Sequence, residues 1–252
     1  EEPGWWNTMW GYWFGGKLWN GKDAITANSP ENIAAYEWVA SYPARYGTGN
    51  LLEFREGFGN FASPQNPFFT GRLAMVIQGE WIYNYIEKYA PPGFEWGVAP
   101  FPSTDPEHLK NVSIVESDLL AIPNGAKHPK EAFEFISYVN TQEPMEKLCL
   151  LQRKFTPFKQ CSAGFLRNHP NPRIAAFIEL SKSANAKYVP RVATWNEYEN
   201  EMKYAVSRIW AGNTGVKQAL DQVQLRQQEE LDRRNLHWNR VSEKLIQEWN
   251  RQ

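Results

Sequence analysis

The step Gly79-Glu80-Trp81 joins the residue types that this chain would need for chemistry on an uncharged ring. An indole offers a wide flat apolar face with a single N–H donor, which suits the C–H face of a sugar ring. Glycine lets another group approach the backbone closely and lets the chain turn sharply. A second polar break, Glu116-Ser117-Asp118, interrupts an otherwise apolar stretch, and its groups need partners. A ligand would supply them, and so would water at a surface bulge. Hydrolysis of a glycosidic bond would require two carboxylates at a set separation across the sugar. Glu80 and Glu116 are the obvious pair, but nothing in the sequence sets them opposite each other, so no catalytic residue is assigned. Other chemistries lack their motifs: there is no GxxxxGK[ST] or GxGxxG loop, no HExxH and no GxSxG elbow. His108, His128, His169 and His237 are scattered among prolines, charges and turns, so no metal site and no cofactor is expected.

The elements that must position these residues are readable in outline. Leu73 to Ile77 is an unbroken apolar run bounded by turn signals, which predicts a strand buried on both faces. Trp81 would then lie beyond its C-terminal end, where open α/β sheets bind ligands. Phe94–Pro100 and Val112–Pro123 read as further strands. Ser29, Pro30 and Glu31 start a helix with Ile33, Tyr36 and Ala40 on one face, and Pro43 should end or kink it. The stretch 47–65 reads as a long loop with at most a short helix. Trp6, Trp10 and Trp13 recur at helical spacing before Gly15-Gly16, a pattern open to both a core stripe and a binding surface. His128-Pro129 opens a helix with Ala132, Phe135, Ile136 and Val139 inward. Thr194 and Glu197 have capping-box spacing ahead of Tyr198, Met202, Ala205 and Ile209, which puts Trp195 in a first turn with outward N–H groups. A helix from Thr214 carries Val216, Leu220, Val223 and Leu231 inward with Gln, Glu and Arg outward, and Trp238 to Trp249 forms a last amphipathic segment.

Composition narrows the classes. The 252 residues suffice for one large or two small domains. Lys plus Arg number 27 against 28 Asp plus Glu, with no basic block, which argues against nucleic acid. Twelve tryptophans suit carbohydrate binding and an aromatic core alike. Cys149 and Cys161 are too few for a disulfide framework; a single short bridge and two buried thiols both fit, the thiols better. No apolar run is long enough to span a bilayer. The chain begins EEPGWW without an initiator Met, which we read as a processed or truncated start.

Taken together, FFTGRLAMVIQGEW, IVESDLLAIPNGAKHPKEAFEFISYV and WAGNTGVKQALDQVQLRQQEELDR resemble an extracellular solute-binding protein of a carbohydrate ABC transporter (family 1), in its C-terminal portion only. The resemblance runs from about Trp5 to Arg234. It implies an α/β fold of the type II periplasmic-binding-protein kind, two lobes closing on a sugar, represented here mainly by the helix-rich second lobe. Residues 1–108 and 160–252 would belong to that lobe, and 109–159 would carry the crossing strands and a segment returning to the first. The first lobe's opening elements have no counterpart.

By the same resemblance Trp81 matches the aromatic that stacks on the sugar, flanked by Gly79 and by Glu80 as a hydroxyl acceptor. Trp5 and Trp6 lie where relatives place a cleft aromatic, Trp195 begins the helix that contributes another, and Arg191 is near it. Glu116 and Ser117 replace a Gly-Gly pair of many relatives. The implied function is non-enzymatic capture of a sugar or short oligosaccharide and its delivery to membrane permease subunits, by a periplasmic or extracellular monomer, free or lipid-anchored through residues ahead of Glu1. The alternatives are a non-sugar ligand, such as a polyol phosphate or polyamine, and a carbohydrate-active enzyme.

Overall fold

The computed structural model describes residues 5–58 and 62–249, without the side chains of Trp5 and Glu248. Two 3₁₀ turns, Trp5–Thr8 and Trp10–Phe14, precede α1 (Pro30–Tyr46), α2 (Thr48–Glu56), α3 (Ile82–Tyr89), β1 (Ser113–Ile114), α4 (Pro129–Val139), α5 (Gln142–Gln152), α6 (Ala163–Arg167), α7 (Ile174–Ser181), β2 (Ala186–Lys187), α8 (Trp195–Trp210) and α9 (Val216–Trp249). The chain forms two compact units: residues 1–56, 102–112 and 187–252 in one, 57–101 and 113–186 in the other. Packing thus groups 57–101 with 113–186.

The first unit is built on buried aromatics. Trp10 and Trp13 are core residues, their rings 5.7 Å apart, and Trp10 donates its indole N–H to Asn7 Oδ1 at 2.8 Å. Their spacing therefore reflects packing. Three tyrosines fix distant backbone through their hydroxyls: Tyr36 donates to Asn7 O, Tyr12 to Tyr188 O and Tyr198 to Leu18 O. Each brings a large apolar ring inside without leaving its polar tip unpaired.

Helix α1 begins as expected, with Ser29 Oγ accepting from Asn32 N and Pro30 at the first position. It does not end at Pro43, however; it continues to Tyr46, and Gly47, at φ +81°, terminates it. Pro43 removes one helical donor but lies buried in the first unit, where packing offsets the loss. The fully buried Asn32 donates to Lys17 O at 2.8 Å and Thr26 O at 2.7 Å. Its Oδ1 faces bare backbone, and a Cβ added at Gly11 would lie only 1.7 Å from it. This crowding is the reason for glycine at position 11.

At the start of α8 the capping box is not formed: Thr194 makes no side-chain cap bond, and Glu197 pairs instead with Arg234. Arg234 also donates to Ala193 O at 2.8 Å and to Glu230 at 2.7 Å, so a long-range pairing has displaced a local one. In α9, Leu220, Val223 and Leu231 are buried as expected, whereas Val216, in the first turn, is only half-buried. Gln224 and Gln228 differ from the outward placement, bonding the backbone of Ile25 and Asp23. The last amphipathic segment is continuous with α9, and its Trp238, Leu245 and Trp249 are exposed.

The second unit departs further from the anticipated strands. Leu73–Ile77 is extended but not a strand, with Met75 84% and Val76 37% exposed. Phe94–Pro100 forms no strand either, and of Val112–Pro123 only β1 pairs, with β2. Leu119 is 87% exposed. A strand buried on both faces requires neighbours and covering helices, and the described residues contain just this one two-stranded ladder. The inward face assigned to α4 is only partly covered: Ala132, Ile136 and Val139 are half-buried, and Phe135 is exposed. What holds this unit together is two small clusters. Phe69, Ile82 and Ile86 gather Phe68, Tyr85, Tyr89 and Phe94; Met145, Cys149 and Phe165 gather Val139, Phe158 and Cys161.

Candidate functional site

Trp81 sits at the N-cap of α3 with helical backbone angles, and its ring folds back over the preceding glycine. A Cβ placed on Gly79 would come within 2.1 Å of Trp81 Cζ3 and within 2.5 Å of two further ring atoms. The group that approaches Gly79 closely is thus the indole of Trp81 itself. Trp81 Nε1 donates to Gln78 Oε1 at 3.0 Å, which fixes the ring's rotation. The indole is half-buried. One region of the ring is occupied by backbone and its N–H is satisfied, so what remains to a ligand is apolar face.

Glu80, between Gly79 and Trp81 in the sequence, is also half-buried. Burial pushes its carboxyl pKa upward, opposed by its own backbone N–H and by the Lys154 ammonium, while Asp118 raises it further. Lys154 and Asp118 form an ion pair at 3.2 Å. The Lys154–Asp118 ion pair thus acts electrostatically on the Glu80 carboxyl, and the three groups can between them accept from and donate to hydroxyls. Sequence reasoning missed Asp118 and Lys154 as members. Asp118 was visible only as part of the polar break, and 38 and 36 residues separate these partners in sequence, beyond any local pattern.

Helix α3 is anchored here through Asn84, which donates to Gln152 O at 3.2 Å and accepts from Arg153 at 3.0 Å; Arg153 also pairs with Glu87. Arg153 ends α5 in the left-handed conformation, at φ +58°. The turn that follows α5 thus delivers Arg153 to α3 and Lys154 to Asp118.

The other candidates are placed as follows. Glu116 and Ser117 are exposed on the same extended stretch as Asp118. In the first unit Trp195 opens α8, half-buried and edge-on to Tyr198 at 5.6 Å. Arg191 lies 4.6 Å above the ring of Tyr188, an aromatic that sequence reasoning did not single out. Trp6 is half-buried, and the side chain of Trp5 lies outside the described residues. Among the described residues no three His, Cys, Asp or Glu side chains come together to hold a metal ion, and no helix is long and apolar enough to cross a membrane.

Comparison with known proteins accounts for this combination of helices and short apolar runs. Residues 2–170 match the family described as bacterial extracellular solute-binding protein. The chain belongs to that family. An uncharacterised ABC transporter extracellular-binding protein of Pyrococcus horikoshii is 25% identical over 126 residues, covering 50% of this chain and 26% of the relative. Among solved structures, CpMnBP1 with mannotriose bound superposes with a TM-score of 0.72 at 24% identity, over 86% of this chain and 55% of that one. The sugar-binding protein MalE of Xanthomonas citri gives 0.70 at 19% identity, over 94% and 58%. The cycloalternan complex of a Listeria monocytogenes ABC substrate-binding protein gives 0.63 at 15% identity, over 91% and 55%. The fold is that of the type II periplasmic binding proteins, and the helix-rich chain is consistent with one lobe of it. The chain spans a little over half the length of these structures and about a quarter of the curated relative. The family and these neighbours are binding proteins rather than enzymes.

Proposed function

We propose that the protein binds a sugar or short oligosaccharide outside the cytoplasm and hands it to the membrane permease of an ABC transporter, without chemical conversion. The observation that carries this reading is the Trp81 indole, seated on Gly79 with its N–H satisfied and flanked by Glu80, Asp118 and Lys154. A pyranose ring has apolar C–H faces and a rim of hydroxyls, so a half-buried indole together with two carboxylates and one ammonium is complementary to it. The mannotriose and cycloalternan complexes among the similar structures, and the sugar-binding protein of Xanthomonas citri, agree with this reading. Glu80 and Asp118 serve as hydroxyl acceptors; Trp195 and Arg191 of the first unit, with Trp5, Trp6, Glu116 and Ser117, are secondary candidates. A mixed-charge cluster gives no preference for a phosphate or a polyamine.

Titration of the intrinsic tryptophan fluorescence with a panel of mono- and oligosaccharides tests this directly. The expected result is a saturable change with at least one member of the panel and no release of reducing sugar on prolonged incubation. Saturable binding of a polyamine or polyol phosphate, with no response to saccharides, would replace the sugar assignment.

A further inference from the structure

We propose that Cys149 and Cys161 are a disulfide pair that locks the turn carrying Arg153 and Lys154 onto α5. Both are thiols in the structure, Cys149 buried and Cys161 half-exposed. The argument for the pair is geometric. Cys149 belongs to the small core with Met145 and Phe165, and Cys161 packs against that same core. The intervening chain folds back tightly: Lys154 N–H donates to Cys149 O at 2.9 Å, Thr156 is buried, and Phe158 packs into the cluster. The next residue, Ser162, is clamped to α5, donating from its N–H and its hydroxyl to the two carboxylate oxygens of Glu146, each at 2.6 Å.

Glu146 and Cys149 are three residues apart on one helix and share a face, with Cβ atoms about 5–6 Å apart. Cys161 is bonded to the residue held on that face. A disulfide needs Cα atoms within about 7 Å, and the shared small core together with the Ser162–Glu146 clamp brings the two cysteines into one neighbourhood. The turn so closed bears Arg153, which reaches Asn84 and Glu87, and Lys154, which reaches Asp118. Bridging would therefore restrain the Lys154–Asp118 pair beside Glu80. An extracellular family location supplies the oxidising surroundings in which such bridges persist.

The chemistry balances with a disulfide oxidant. The Cys161 thiolate, at the more exposed position, attacks one sulfur of oxidised glutathione and expels a glutathione thiolate. The Cys149 thiol then gives up its proton and attacks Cys161 Sγ, expelling the second glutathione thiolate. The two cysteines lose two electrons, the oxidant gains them, and the two protons end on glutathione. Burial raises the Cys149 pKa, which suits it to resolve a mixed disulfide rather than to begin one.

The test uses the reduced full chain, equilibrated under native conditions with oxidised glutathione, then denatured, alkylated and digested with trypsin. Cleavage after Lys147, Arg153, Lys159 and Arg167 puts the two cysteines on separate peptides, 148–153 and 160–167. The expected product is these peptides linked, in a monomer lighter by two hydrogens, with a thermal midpoint raised by roughly 5 °C. Cys149→Ser should stop at the glutathione adduct of Cys161. Recovery of both thiols alkylated from native protein would overturn the pair, as would a stable glutathione adduct or a disulfide-linked dimer as the wild-type end product. None of these readouts depends on the ligand, so the pair can fail while sugar binding stands.

Discussion

Replacing Gly79 with alanine should eject the Trp81 ring and nothing else. The added methyl would sit 2.1, 2.4 and 2.5 Å from three ring carbons, against a comfortable carbon separation of about 3.5–4 Å. The ring must therefore move by more than about 1 Å, and the 3.0 Å bond to Gln78 goes with it. Overpacking of this kind costs about 1–3 kcal/mol, and the lost hydrogen bond lies within that range. For a chain of this size the thermal midpoint should fall by roughly 2–10 °C. The backbone is not the cause, because Gly79 is not among the glycines at positive φ. A double-mutant cycle makes the reasoning refutable by calorimetry or urea unfolding. In a Trp81→Ala background the methyl meets no ring, so Gly79→Ala should then cost almost nothing. Equal costs in the two backgrounds would show that the indole does not rest on Gly79.

Other outcomes follow from the same geometry. Gly11→Ala should destabilise the first unit by about 3 kcal/mol in urea unfolding, because the methyl would displace the Asn32 carboxamide and its bonds to Lys17 O and Thr26 O. Glu80, with its pKa raised by burial, holds its proton more tightly folded than unfolded, so its contribution is most favourable in acid and is lost as pH rises through the folded value. Glu80→Gln should accordingly stabilise the protein near neutrality, by a margin that shrinks toward about pH 4. Glu146 has the opposite sign: burial pushes it up, but the Ser162 and Gln142 hydrogen bonds outweigh this and hold it below the ordinary range. Its stabilisation is present near neutrality and lost in acid, so Glu146→Gln should lower the midpoint at neutral pH and matter little below about pH 3.

How legible the molecule was depended on the range of the interactions. The start of α1 was readable because Ser29, Pro30 and Asn32 cap locally, and the buried faces of α8 and α9 because a helix's stripe is written in its own period. Pro43 did not end the helix, which runs three residues further with that ring buried. Thr194 misled because Arg234, 37 residues beyond Glu197, claimed that carboxylate. The strands failed most. Leu73 to Ile77 has the composition of a buried strand, but a strand is made by neighbours distant in sequence, and none pairs with it here. At the site, Gly79, Glu80 and Trp81 could be named from their order in the chain, whereas Asp118 and Lys154 join them only through the fold.

The central claim is that the Trp81 face takes a sugar ring. Isothermal titration of wild-type protein and Trp81→Ala with the tightest saccharide of the panel tests it most directly. The account predicts saturable binding to the wild type and affinity weaker by about tenfold or more in the variant, the loss of one stacked aromatic face. Equal affinity in the two proteins would contradict it.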